Sequence, residues 1–186
     1  MAKHSTIKEK EKSAYEKMKS EFHYRNALAA PRMQKIVVNV GTGTLMKKDQ
    51  KKNEAITERL SKITGQKAAM RGAKKSISTF KVRQGDPIGI VVTLRGKRMY
   101  GFLEKLINVA LPRTKDFRGI PRRSVDNIGN LTIGIKEHTI FPETADEDIK
   151  DVFGMSITLV SSAKGKSDGL AFFELLGIPF QKEVKK

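Results

Sequence analysis

No cysteine occurs in the 186 residues, so disulfides and thiolate metal sites are excluded and a reducing, cytoplasmic setting suits the chain. Tryptophan is also missing and aromatics make up only 6%, which leaves Ile, Leu and Val to build the core. No apolar run approaches the roughly 20 residues that a membrane span needs. The segment Met1 to Glu21 carries too many charges for a signal peptide. Histidine is scarce: His4, His23 and His138 lie far apart, without metal-ligand spacing. The acids of 143–151 lack the ligand pattern and central glycine of a calcium loop. Gly41-Thr42-Gly43-Thr44, followed by Lys47, lacks the Gly-Lys-Ser/Thr end of a phosphate loop. No Ser-His-Asp set emerges from spacing. These groups read as ordinary solvated polar residues, so no catalytic residue, metal, cofactor or small-molecule substrate is assigned.

Negative charge is the largest shortage. Lys and Arg number 37 against 20 Asp and Glu, a net charge of +17 and a pI near 10.1. Such a balance favours polyanionic partners and marks a nucleic-acid binder. The imbalance is local: residues 1–100 hold 24 basic and 8 acidic residues, the remainder 13 and 12. The window 61–100 has ten basic residues and one acid, Asp86. The phosphate-facing surface therefore belongs to the first hundred residues.

Hydrophobic spacing predicts an α+β fold, a mainly antiparallel sheet with helices packed on one face and the other face exposed. The chain reads as one domain, with a peripheral charged helix in 1–21 (Ile7, Ala14, Tyr15 and Met18 as a thin apolar stripe) and a basic tail over 181–186. Strands are expected at Lys35 to Gly41, 88–95, Leu131 to Lys136 and Met155 to Val160. Helices are expected at 49–64 (Asp49 as N-cap, Gly65 as stop), 97–111 and Asp168 to Leu176. Residues 66–86 read as a protruding basic loop with some strand from Ile77 to Val82. Within it, the loop 72–83 has too few apolar residues to fold back on itself, and is expected to be mobile in the free protein and ordered only against a partner.

Strand alternation sorts the faces. Ile36, Val38 and Val40 oppose Val37, Asn39 and Gly41. Ile88, Ile90, Val92 and Leu94 oppose Gly89, Val91, Thr93 and Arg95. Thr132, Ser156 and Thr158 fall on the polar side of the later strands, where ordinary solvation accounts for them. Asn39, Thr93 and Arg95 sit in the charge-rich half. Their short polar groups and guanidinium suit ribose hydroxyls, base edges and phosphate, and nearby glycines let a backbone approach. The aromatic stackers of an RNA-recognition motif are missing from these strands.

The stretch ITGQKAAMRGAKKSISTFKVRQGDPIGIVVTLRGKRMYGFLEKLI (63–107) closely resembles the family of the fifth protein of the bacterial large ribosomal subunit. So do KIVVNVG (35–41), ALPRTKDFRGI (110–120), GNLTIGIKEHTIFPE (129–143) and GMSITLV (154–160), in the same order and spacing from about Phe22 to Phe180. The resemblance implies a structural, non-enzymatic ribosomal protein, in the cytoplasm, with an α+β sandwich and a concave sheet face for RNA. It implies 5S rRNA and large-subunit rRNA as partners, attachment in the central protuberance, contact with the P-site tRNA, and a bridge to the thirteenth protein of the small subunit. Matched motif by motif, Asn39, Gln66, Lys67, Thr93 and Arg95 are implied 5S rRNA contacts, with Arg25 and Asn26 nearby. The loop from Gly72 to Arg83 is implied to face tRNA through Lys74, Lys75, Ser76, Ser78, Lys81 and Arg83. Arg113, Lys115, Asp116 and Arg118 fall in the implied inter-subunit region.

The chain departs from the family at Ala68, usually proline, and in SVDNIGN (124–130), where Val125 and Ile128 replace an aromatic and an arginine. The alternative reading is a free-standing regulatory or chaperone-like RNA binder on the same fold.

Overall fold

The computed structural model describes residues 6–43, 50–144 and 152–181. His4, Lys47, the expected N-cap Asp49, the acids of 145–151 and the tail 182–186 lie outside the described residues. The chain is α+β. Strands β1 (Met33–Gly41), β2 (Ala69–Gly72), β3 (Pro87–Leu94), β4 (Leu131–Ile135) and β5 (Met155–Ser161) form an antiparallel sheet in the order β2-β3-β1-β5-β4. Helices are α1 (Ile7–Lys12), α2 (Ala14–Phe22), α3 (Gln50–Thr64), α4 (Gly96–Lys105) and α5 (Lys166–Leu176). Contacts divide the chain into two compact units. One comprises Met1–Ile36, Arg95–Ile133 and Thr158–Lys186, the other Val37–Leu94 and Gly134–Ile157.

In the first unit α1 and α2 pack on α5, and α1 also meets α4. The single charged helix expected in 1–21 is divided at Ser13, whose hydroxyl donates to the Lys10 carbonyl at 2.8 Å and competes with the helical ladder. Thr6 and Glu9 form a reciprocal capping box that starts α1. Ile7, Ala14 and Met18 are buried and Tyr15 is half-buried, so the apolar stripe docks. Polar clasps reinforce it. Glu104 accepts the Ile7 amide at 3.1 Å, and Lys10 donates to the Leu176 carbonyl at 3.3 Å. Tyr100 donates to Glu11 at 2.9 Å, and Tyr24 to Asp168. Burial, and then the Glu11 carboxylate, push the Tyr100 hydroxyl up to about 12. Tyr24 moves the same way, through burial and Asp168.

The helix expected over 97–111 is α-helical only to Lys105. Leu106–Ala110 forms a π turn in which the Leu111 amide donates to the Leu106 carbonyl at 2.9 Å. The extra residue shifts the helical phase, so Leu106 and Ala110 stay buried while Ile107 is half-buried. In the loop before β4, Asp126 accepts the Ile128 amide at 3.0 Å and the Asn130 amide at 2.7 Å. Gly129 (φ +94°) follows, and a Cβ there would lie 2.6 Å from that of Ala163 and 2.9 Å from the Gly165 carbonyl.

In the second unit α3 packs on β3, and Ile56, Leu60, Ile63, Ile90, Val92 and Leu94 are all buried. Gly65 ends α3 in the left-handed conformation, φ +66°. Two readings of 66–86 need correction. The strand in this stretch is β2, upstream of the expected Ile77–Val82. Ile77 and Val82 form one isolated antiparallel bridge around a 3₁₀ turn, Ser78–Phe80. The segment also closes on itself without an apolar cluster. The Ala73 amide donates to the Asp86 carbonyl (2.8 Å) and the Gly85 amide to the Ala73 carbonyl (3.0 Å), the Gln84 backbone amide donates to the Ser76 hydroxyl (2.9 Å), and the Asp86 carboxylate accepts the Arg83 amide (2.8 Å). The protruding loop is thus an extension of the β2–β3 hairpin.

Candidate nucleic-acid interface

The second unit gathers the polar residues of β1 and β3. In β1, Val38 and Val40 are buried and Asn39 is exposed. A Cβ built on Gly89 of β3 would stand 4.0 Å from Asn39 Oδ1 and 3.6 Å from the Val40 carbonyl, so the missing side chain keeps the Asn39 amide open. Ser156 of β5 donates to the Asn39 backbone carbonyl at 3.4 Å, and the Asn39 side chain itself is exposed. Thr93 lies two pleats along β3 from Gly89 and is half-buried. Gln66, just past the glycine stop of α3, donates from Nε2 to the Thr93 carbonyl at 3.2 Å. Lys67 beside it is exposed.

Register adds a residue that the sequence reading missed. β2 pairs antiparallel with β3, Ala69 opposite Val91, Met70 opposite Ile90 and Arg71 opposite Gly89. Directly opposed residues share a face. Arg71 therefore joins the polar face next to a position with no side chain, in line with Asn39. The only signal in the sequence was its basic neighbourhood. β2 is an exposed edge strand and shows no alternation.

Arg95 lies outside this cluster. Strand β3 stops at Leu94, and Arg95 is the exposed, extended N-cap of α4, in the first unit. Arg25 and Asn26 are also in the first unit and exposed. Asn26 Oδ1 caps a 3₁₀ turn by accepting the Ala29 amide at 2.9 Å, so its amide N–H groups are what it can offer a ligand. Arg113, Lys115, Asp116 (φ +54°) and Arg118 are exposed on the irregular segment after the π turn.

On the hairpin extension Lys74, Lys75, Ser76, Ser78, Lys81 and Arg83 are all exposed. Ser76 already accepts the Gln84 amide, and the Ser78 carbonyl accepts the Lys81 amide at 2.9 Å. The tip also shows Ile77 and Phe80 to solvent, at 47% and 62% exposure, a pair overlooked in a segment read as basic and polar. Cations around an exposed aromatic ring can pair with phosphate and stack on a base. Among the described residues no group of three His, Cys, Asp or Glu could hold a metal ion.

A family model described as ribosomal protein L5 matches residues 26–83, and a second, described as the C-terminus of that ribosomal protein family, matches 87–180. The chain is 47% identical over 164 residues to the large ribosomal subunit protein uL5 of Halothermothrix orenii, covering 88% of this chain and 91% of that protein. It is 46% identical over 166 residues to the uL5 of Trichlorobacter lovleyi (89% and 92% covered), and 48% identical over 162 residues to that of Mycoplasma mycoides (87% and 89%).

Proposed function

The chain belongs to the L5 family of ribosomal proteins, and from that premise we propose that it anchors 5S rRNA to the large subunit in the central protuberance. It is an rRNA-binding structural component of the large subunit. The observation that carries the finer reading is the line Arg71–Gly89–Asn39, with Thr93 and Gln66 alongside: a guanidinium, a gap and short amide and hydroxyl groups on one face. Phosphates position an RNA on such a surface, and its hydroxyls and base edges select it. Arg25, Asn26, Lys67 and Arg95 supply further 5S rRNA contacts.

The hairpin extension reaches the P-site tRNA. Lys74, Lys75, Lys81 and Arg83 meet its phosphates, and Phe80 offers a stacking face. Arg113, Lys115, Asp116 and Arg118 face the thirteenth protein of the small subunit. Of the two departures in 124–130, Val125 is buried and serves the core, while Ile128 is 68% exposed and gives that loop an apolar tip. Sedimentation of cell extract tests the reading: the chain should travel with large subunits at low salt. A pool that stays near the top of the gradient would instead identify a free-standing RNA binder.

A further inference from the structure

Lys8 and Lys12 stand four residues apart on α1, hence on one helical face. They line a groove of about 340 Å³ within the first unit, together with Arg32, Tyr15, Tyr100 and Pro31. All three cations are exposed, and Lys8 and Arg32 also feel the charge of Glu11 in the same groove. Arg32 stands on a fixed stem: its amide donates to the Ser162 hydroxyl and its carbonyl accepts the Ser162 amide, each at 2.9 Å.

The groove also holds one acid, Glu11. Its carboxylate accepts the Tyr100 hydroxyl at 2.9 Å and the Met33 amide, and it shares its charge with Arg32 and Lys8. It thereby tethers Tyr100, which is half-buried and lines the groove. Tyr15 is also half-buried and lines the groove; the Lys19 ammonium lies over one face of its ring, 5.4 Å from the centroid, which leaves the other face for a base. Spaced cations with two aromatic walls are the parts that single-stranded nucleic acid uses, phosphate on ammonium and guanidinium, base on ring. An acidic peptide would use the cations and leave the rings idle.

We propose that this groove is a second RNA site, which seats phosphodiester backbone on Lys8, Lys12 and Arg32 and stacks a base on Tyr15 or Tyr100. It shares no residue with the sheet cluster of the other unit, so it gives the chain a separate hold on RNA, with little sequence preference.

The test uses the full chain and an oligouridylate substituted with 4-thiouridine. Irradiation should crosslink the peptide that contains Tyr15 or Tyr100. The triple variant Lys8→Gln, Lys12→Gln, Arg32→Gln changes exposed side chains and should melt like the parent. Its log–log salt slope for oligouridylate should be shallower by about 2, since each phosphate contact on a single strand contributes about 0.7. Its affinity at low salt should drop on the order of tenfold or more. An unchanged slope, or crosslinks confined to other peptides, would overturn the proposal. So would polyglutamate displacing the RNA as well as unlabelled oligouridylate does, an outcome that points to an acidic protein. Should the parent fail to bind 5S rRNA, the anchoring role falls, and the oligouridylate data still judge the groove.

Discussion

Gln66 donates from Nε2 to the backbone carbonyl of Thr93 across 3.2 Å, so the turn that ends α3 is tied to the strand that carries part of the polar face. The contact separates residues proposed only to touch RNA from one that also supports the surface. Asn39→Ala and Thr93→Ala remove short polar groups opposite the core. They should leave unfolding free energy within about 0.5 kcal/mol of the parent. Each should weaken 5S rRNA binding by about 1–3 kcal/mol, the range for a lost base-edge contact. Gln66→Ala should weaken binding and also cost about 1 kcal/mol of stability, for the lost hydrogen bond. Denaturant melts paired with filter binding check all three. An Asn39→Ala chain that unfolds early yet binds normally once folded would mean that the faces are assigned backwards.

Binding to 5S rRNA should fall steeply with salt. With six or so phosphate contacts at a slope of roughly 0.7–0.9 each, raising salt from about 50 to 200 mM should weaken binding on the order of a thousandfold. Arg71→Gln should make the slope shallower by about one contact. A nearly flat plot for the parent, or no change for the variant, would remove the basic face from the binding account.

The hairpin extension should be separable from RNA anchoring. Neutralising Lys74, Lys75 and Lys81 together leaves the backbone bonds between Ala73, Asp86 and Gly85 in place. Incorporation into large subunits should therefore persist while P-site tRNA occupancy on assembled ribosomes drops. Loss of 5S rRNA affinity with normal tRNA occupancy would move the extension to the anchoring surface.

Asp126 gives the loop 124–130 a pH dependence. Slight burial raises its carboxyl, but hydrogen bonds from Asn130, Ile128 and Gly129 outweigh that and hold it below its ordinary value of 3.8. A group depressed in the folded state stabilises above its unfolded value, and this contribution is lost as pH falls through the folded one. Asp126→Ala should thus melt below the parent at neutral pH, and the two curves should converge as pH drops under about 4. A gap that persists in acid would assign the effect to loop packing instead of charge.

How far the sequence was legible depended on burial. β1, β3, β4 and β5 alternate because one face of each is covered, so their spans and the exposure of Asn39 could be read from spacing. β2 could not, because all four of its residues are exposed and nothing in Ala-Met-Arg-Gly alternates. The β-branched look of Ile77 to Val82 suggested a strand where a 3₁₀ turn with Lys81 in the left-handed region reverses the chain. Arg71 became visible only through pairing register, a long-range property that no local window contains. Gln66 and Asn39 came from motif resemblance and alternation, but the tie between Gln66 and Thr93 required coordinates.

The π turn at Leu106–Ala110 sets the heading of everything that leaves α4. An added residue in a helix rotates all later positions by about 100° and moves them by about 1.5 Å along the axis. Deleting one residue in this turn would restore α geometry and keep Leu103 and Leu106 in the core. It would also swing Pro112 and the exposed Arg113–Arg118 segment around the helix axis. Single-residue length variation here is therefore a steering adjustment: it re-aims a charged segment while the packing up to Leu106 is kept, and the buried Ala110 and Leu111 are what must repack.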